Sequence, residues 1–251
     1  MNPLPPPGPA AAHPWRPWVI ANAAMSADGK IAPVEGTLVP FGSDQDRAQM
    51  EELRTRADAV LIGGGTLRTE DPPLLILDPA LRARRQAAKG SPHPLNVTVC
   101  NHLPKNLETL RFFNHPETTR LVFTSLQTPP DLLALANQHA TVEVVPLDET
   151  SKINLRSVME ILYKRGVRLL LLEGGGELNF SMLAAGLVDE LYLTVCPFLF
   201  GGRSAPTPFD GSGFPGARVQ QLELCSSRAN PRGELFLHYR LLHGPDQELH
   251  I

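Results

Sequence analysis

Apolar positions along the chain fall into short blocks of two kinds, and the order in which they alternate predicts an α/β fold. "WVIANAAMS", Trp18 to Ser26, is an apolar, β-capable run followed by the turn signal Asp28-Gly29, so it predicts a first strand. "SDQDRAQMEELRTRA" opens with Ser43 and an acid three residues on at Asp46, a capping-box pattern, after which Met50, Leu53 and Ala57 recur at helical spacing. A helix is expected there. "DAVLIGGGT" reads as a short buried strand, Ala59 to Ile62, that ends in glycines. "NVTVC", "RLVFTS" and "TVEVVPL" read as strands, and "PPDLLALANQH" and "NLRSVMEILYKRG" as helices, the second stopped by Gly166. Strand "VRLLLLE", helix "GELNFSMLAAG" and strand "DELYLTVCPFLF" follow. A Gly/Pro-rich loop from Gly201 to Gly216 then leads to two closing strands, "RVQQLELCSSR" and "GELFLHYRLL".

Strands alternating with helices predict a mostly parallel sheet covered on both faces. The last two strands, joined by "ANPRG" with no room for a crossover helix, predict an antiparallel hairpin, so the sheet is mixed. From Leu67 to Leu95 the periodicity is broken by Pro72, Pro73, Pro79, Pro92 and Pro94, and that stretch reads as loop, with "LRARRQAAKG" a short basic surface helix. Residues 1–17, rich in proline and alanine, read as a loose extension, 18–243 as one domain and 244–251 as a second tail.

Composition narrows the function. With 251 residues, 42% of them hydrophobic, the chain can bury one large core. Lys plus Arg number 23 against 26 Asp plus Glu, a balance that leaves no electrostatic footprint for nucleic acid or an anionic membrane, so a small-molecule ligand is expected. Cys100, Cys196 and Cys225 stand far apart without CxxC spacing; neither a metal site nor a disulfide framework is indicated, and a reducing, cytoplasmic setting fits. Cys196 reads as core, and His93, His102 and His115, in apparent loops, as solvated.

The chemistry concentrates at two strand-to-helix turns, "IGGGT" (Ile62 to Thr66) and "EGGGE" (Glu173 to Glu177). Glycine main chain at a helix start offers unpaired N–H groups and the positive end of the macrodipole to an anion that no Cβ keeps away. The competing reading is that these glycines serve tight turns and close packing. Neither turn matches GxGxxG with a ribose-binding acid, and neither carries GK[ST]. Glu173 closes an apolar strand, where a carboxylate needs either an ionic partner or a place on a ligand crevice.

"MSADGKIA" (Met25 to Ala32), "LRTRADAVLIGGGTLRTEDPPL" (Leu53 to Leu74) and "LLEGGGELNFSMLAAGLVDELYLTVCPFLFGG" (Leu171 to Gly202), with "SAPTPFDGSGF" after them, resemble the reductase domain of riboflavin biosynthesis. The resemblance runs from about Trp18 to Leu241. It implies a dihydrofolate-reductase-like three-layer α/β/α fold and a homodimer. It also implies NADPH as cofactor and reduction of a phosphorylated ribosylamino-pyrimidine to its ribitylamino form, without a metal. Carried over by position, it places cofactor contacts on Ala24, Thr66, Glu70, Gly174, Gly175, Gly176, Glu177 and Leu178, and substrate contacts on Arg54, Leu74 and Glu173. Glu173 is implied as general acid/base with Lys30 as its ionic partner, while Arg54 and Arg47 can clamp a 5′-phosphate.

Three departures from the family pattern stand out. Pro40-Phe41-Gly42 replaces an aromatic "W-I-T" segment, Leu77 replaces an arginine that faces phosphate, and "NVTVC" replaces "RVVLD". Arg82, Arg84 or Arg85 could supply the missing cation. A same-fold reductase of a pterin or another carbonyl or imine compound, and a non-catalytic nucleotide-binding module, are the competing functions. No H-x-E with P-C-x-x-C occurs, so no zinc deaminase activity is expected of this chain.

Overall fold

A computed structural model describes residues 13–35, 41–216 and 219–242. The tail residues 1–12 and 244–251, and Pro40, lie outside the described residues. In chain order the elements are β1 (Trp18–Ser26), α1 (Asp44–Arg56), β2 (Ala59–Gly63), α2 (Gly64–Thr69), α3 (Pro79–Lys89), β3 (Leu95–Val99), α4 (Arg111–Asn114) and β4 (Arg120–Thr124). Then come α5 (Pro130–His139), β5 (Thr141–Val144), α6 (Leu155–Lys164), β6 (Leu169–Leu172), α7 (Gly176–Ala184), β7 (Glu190–Cys196), β8 (Leu222–Ala229) and β9 (Leu235–Leu241). The strands form one sheet in the order β5-β4-β3-β2-β6-β1-β7-β9-β8. Every pairing from β5 to β7 is parallel, and β7–β9 and β9–β8 are antiparallel, so the mixed sheet with its closing hairpin is as the sequence predicts.

Alternation along each strand divides the core in two. Val19, Ala21, Ala59 and Leu61 face α6 and α7 through Val158, Met159, Leu162, Leu178 and Met182. Ile20, Val60 and Ile62 face the opposite layer, where Leu53, Ala57, Leu67, Phe112 and Phe113 close over them. A parallel strand buried on both sides must be apolar at every position, which is why "AVLI" and "LLLL" show no polar alternation.

Helix α1 carries much of the site, and both its ends are held from a distance. Ser43 caps the start, its hydroxyl accepting from Gln45 and Asp46 N–H at 3.2 and 3.3 Å. The second half of the expected capping box is absent: Ser43 N–H goes to Glu234 Oε1 at 3.0 Å instead of to Asp46. At the other end Arg85 Nη1 donates to the carbonyls of Thr55 and Ala57 at 3.0 and 2.6 Å.

That last contact corrects the reading of residues 67–95. Helix α3 is eleven residues long, begins on Pro79 behind an Asp78 cap, and stops at Gly90, whose φ is 76°. Pro79 starts the helix because an N1 proline loses no hydrogen bond there. Arg85, in the stretch read as a wet basic face, is 3% exposed. His93 is likewise buried; its Nδ1 accepts from Ile76 N–H at 3.2 Å, and burial holds its pKa below the usual range. Helices α2 and α4 were not foreseen, being shorter than any periodicity can reveal.

Arg16, inside the stretch read as tail, is 4% exposed and grips Asp189 through two bonds of 2.7 and 2.8 Å. Asp189 also accepts from Val19 N–H at 2.7 Å, tying the entry of β1 to that of β7. Removing one member of a buried ion pair strands the other. Asp189→Ala is expected to cost about 3–5 kcal/mol, read as a lower midpoint in denaturant unfolding, while Arg156→Ala on the exposed face of α6 changes it little.

Candidate active site

A cleft of about 1160 Å³ opens at the carboxyl ends of the central parallel strands. Its wall includes Ala24 from β1, Asp46, Met50 and Arg54 from α1, and both glycine turns. The loop carrying Pro206, Pro208 and Asp210 and the segment from Lys152 to Arg156 form its rim.

β2 and β6 are neighbours, so the two glycine turns leave the sheet side by side and bond to each other. Gly63 N–H donates to Gly174 O at 2.7 Å, and Gly175 N–H donates to Thr66 Oγ1 at 2.8 Å. Several of the glycines are required by packing. A Cβ on Gly64 would lie 2.6 Å from Cys100 Sγ, and one on Gly176 would lie 2.4 Å from the Thr207 carbonyl. Gly174 has φ 88°, a left-handed conformation that costs glycine nothing. Gly65, by contrast, faces open space. Both readings of the glycines therefore apply, at different positions.

Gly175 caps α7 with no side-chain bond, so the first N–H groups of that helix, at Gly176, Glu177 and Leu178, have no intrahelical acceptor. They line the cleft with the positive end of the macrodipole behind them. Thr66 Oγ1 accepts from Gly175 and so can still donate its proton to a ligand.

Glu173 projects from the end of β6 onto α1. Arg54 Nε and Nη2 reach its two carboxylate oxygens at 2.7 and 2.6 Å, and Arg54 Nη1 donates to Leu75 O at 2.6 Å. Burial disfavours the guanidinium charge, the carboxylate more than offsets it, and the Arg54 pKa is raised. The expected Glu173–Lys30 pair is not formed. The turn after β1 closes on itself, with Lys30 N–H on Ser26 Oγ at 2.9 Å, and directs the lysine to the Ala205 carbonyl at 3.2 Å.

The other predicted residues divide. Ala24, Thr66, Glu70 and the run from Gly174 to Leu178 line the cleft, as does Arg47, although Arg47 is already bonded to Gly42 O at 2.9 Å and to Asp44. Glu70 keeps an exposed edge, yet protein crowding its carboxyl, with the nearby Glu173 charge, raises its pKa. The Leu74 side chain belongs to the core instead of the cleft wall. Arg84 pairs with Glu52, Arg82 stands 4.0 Å from Glu117 and Arg85 caps α1, and none of the three lines the cleft.

One carboxyl that the sequence places only in a helix cap also lines the cleft. Asp46 is half-buried, and desolvation raises its pKa; a hydrogen bond from Thr194 opposes the rise, the Glu234 charge adds to it, and Arg47 opposes it least. Its spacing from Met50 and Arg54, eight residues on the same helix, was the available signal. Pro208 and Asp210 offered none, since nothing local tells a loop which helix it will meet.

A family model described as the RibD C-terminal domain matches residues 17–233. Among curated relatives, the 2,5-diamino-6-ribosylamino-4(3H)-pyrimidinone 5′-phosphate reductase of Archaeoglobus fulgidus is 34% identical over 209 residues, covering 83% of this chain and 93% of that protein. The Methanothermobacter thermautotrophicus protein of the same name is 36% identical over 198 residues, covering 79% of this chain and 86% of its own. Among solved structures, a pyrimidine reductase-like protein from Corynebacterium diphtheriae superposes with a TM-score of 0.74 at 24% identity, covering 91% of this chain and 93% of that one. Matched across nearly all of its described body, and along most of the length of both relatives, this chain belongs to the RibD C-terminal domain family.

Proposed function

We propose that this chain is an NADPH-dependent reductase of riboflavin biosynthesis that converts the ribosylamino arm of a phosphorylated ribosylamino-pyrimidine to a ribitylamino arm. The observation that carries the reading is the cleft floor, where the uncapped start of α7 lies on glycine main chain beside a buried Arg54–Glu173 pair. The names of the relatives agree with it.

The residues present fit a dinucleotide. The N–H groups of Gly176, Glu177 and Leu178 would hold its pyrophosphate, and the Thr66 hydroxyl and Ala24 would border it. Lys152 and Arg156 at the rim supply positive charge for the additional phosphate that separates NADPH from NADH. When bound, the dihydronicotinamide supplies the hydride.

The chain's own residues hold and orient the sugar. Opening of the ribose ring leaves an imine at C1′, which becomes an amine on gaining a hydride at carbon and a proton at nitrogen. Glu173, with both oxygens already engaged by Arg54, presents its remaining lone pairs to the sugar hydroxyls. Arg54 spends three N–H groups within the chain and has others to offer the 5′-phosphate. Lys30 and the Leu74 side chain take no part in this arrangement. The reading extends to a cytoplasmic homodimer: β8 is an outer strand whose Leu222 and Leu224 are exposed, an edge that a second copy can cover.

The test is to incubate the protein with NADPH and the phosphorylated ribosylamino-pyrimidine and follow loss of the nicotinamide absorbance. Consumption of NADPH with formation of the ribitylamino product is expected. Tight NADPH binding by calorimetry without turnover would instead assign a binding module. Glu173→Gln is expected to leave NADPH affinity within about twofold while lowering kcat about 100-fold, and an unchanged kcat would remove Glu173 from the mechanism.

A further inference from the structure

We infer that Asn179 is a positioning residue for the dinucleotide: its carboxamide ties the segment from Ala205 to Asp210 to α7, and this strap fixes the start of α7 relative to the turn after β1. The inference rests on the cofactor of the reductase reading and assigns a residue that acts on it through another part of the chain.

The strap joins the two places between which the dinucleotide would lie. At one end Ile31 N–H donates to Pro206 O at 2.9 Å, and Lys30 Nζ, the lysine that does not meet Glu173, donates to Ala205 O at 3.2 Å. At the other end Asp210 N–H donates to Gly176 O at 3.0 Å and Asn179 Nδ2 donates to Pro208 O at 2.8 Å. The close approach of the Thr207 carbonyl to Gly176 lays the strap against the first turn of α7 itself. Ile31, Pro206, Pro208, Gly176 and Asn179 all line the cleft.

Between its ends the strap is stiff. Pro206 and Pro208 have a fixed φ, and Asp210 Oδ1 accepts from Thr207 N–H at 3.1 Å and from Thr207 Oγ1 at 2.6 Å. A displacement at one anchor is therefore carried to the other. Phe209, packed against the core that includes Leu178 and Met182, keeps the segment seated when a single tie is lost.

Of the two bonds to α7, only that of Asn179 comes from a side chain, so it alone can be removed without altering the main chain. Asn179 is 3% exposed, and its carboxamide lies beside the second glycine turn, where a Cβ on Gly174 would come within 3.1 Å of Nδ2. The absent side chain leaves room for the carboxamide to reach the strap. Its Oδ1 is buried with no hydrogen-bond partner among the described residues, so the group acts as a donor to Pro208 O. Pro208 is itself buried, which makes that donor costly to lose.

The pyrophosphate would rest on the N–H groups at the start of α7, and the nicotinamide half would run from there toward Ala24 on β1. Only a ligand long enough to reach from α7 to β1 depends on the spacing the strap sets; the adenosine end depends on α7 alone. Without the tie the strap spends part of its time out of place, and a ligand that needs it loses affinity in proportion.

The experiment measures Kd by calorimetry for NADPH and for adenosine 2′,5′-bisphosphate, which carries the adenosine end alone, in the native protein, Asn179→Ala and Thr207→Val. Asn179→Ala is expected to weaken NADPH about tenfold and the bisphosphate less than about twofold. At saturating NADPH its kcat should stay within about threefold, because bound cofactor holds the strap in place. Thr207→Val, which loses the hydroxyl bond to Asp210, should show the same selective loss at about threefold. Equal weakening of both ligands, as a general loosening of α7 would give, or an unchanged NADPH affinity in folded Asn179→Ala, overturns the assignment. Should Asn179→Ala fail to give a cooperative denaturant transition, the ratio in Thr207→Val decides by the same criterion. Native protein that takes up NADPH without turning over the pyrimidine overturns the reductase reading alone, and no uptake of NADPH overturns both.

Discussion

The site depends on a main-chain lock between two turns that are remote in sequence. Because β2 and β6 pair in register, Leu61 opposite Leu172, their chains leave the sheet at the same level. Glu173 N–H continues the ladder to Leu61 O at 3.0 Å, Gly63 N–H closes on Gly174 O, and Gly175 N–H closes on Thr66 Oγ1. These bonds set the point where α7 starts and the direction its first N–H groups face. Side chains at the turn glycines would separate the two chains: a Cβ on Gly63 would already press Leu178 at 3.2 Å, and one on Gly175 would press Thr66 Oγ1 at 3.1 Å.

Charge is arranged around that floor so that a buried anion is matched and the helix end is not. Arg54 and Glu173, with side chains 10% and 9% exposed, form a pair whose desolvation offsets most of its attraction, so its value lies in fixing geometry more than in stability. The pair can be placed only because α1 is anchored at both ends, by Glu234 on Ser43 and by Arg85 on the last carbonyls. Held in this way, α1 is a straight edge of the cleft with a carboxyl near one end and a guanidinium near the other.

Much of the fold was legible because its signals are local. Strand β1 runs from Trp18 to Ser26 as its apolar run predicts, and Ser43 caps α1 as its residue type predicts. Both glycine turns, set by the same local signals, line the cleft. Residues 67–95 depart from the loop that their prolines predict because Pro79 stands at a helix start, where it breaks nothing, and because the positive charge of Arg85 does not imply solvent. A guanidinium can be buried when carbonyls that lack helical partners accept from it, and those carbonyls belong to α1, 28 to 31 residues earlier. His93 was misplaced for the same reason, its acceptor nitrogen being satisfied by Ile76 N–H.

By itself the sequence determined the alternation of strands and helices, the closing hairpin, the glycine junctions and the presence of a carboxylate at the end of β6. Each follows from periodicity, backbone freedom or turn chemistry within a few residues. The tertiary structure decided which cation meets that carboxylate. Arg54 lies 119 residues from Glu173 and was available beside Lys30, but the order of strands in the sheet brings α1 across β6 while the turn after β1 carries the lysine away. An ion pair forms with the charge that packing brings within reach, and strand order, which sets that reach, is a property of the assembled sheet.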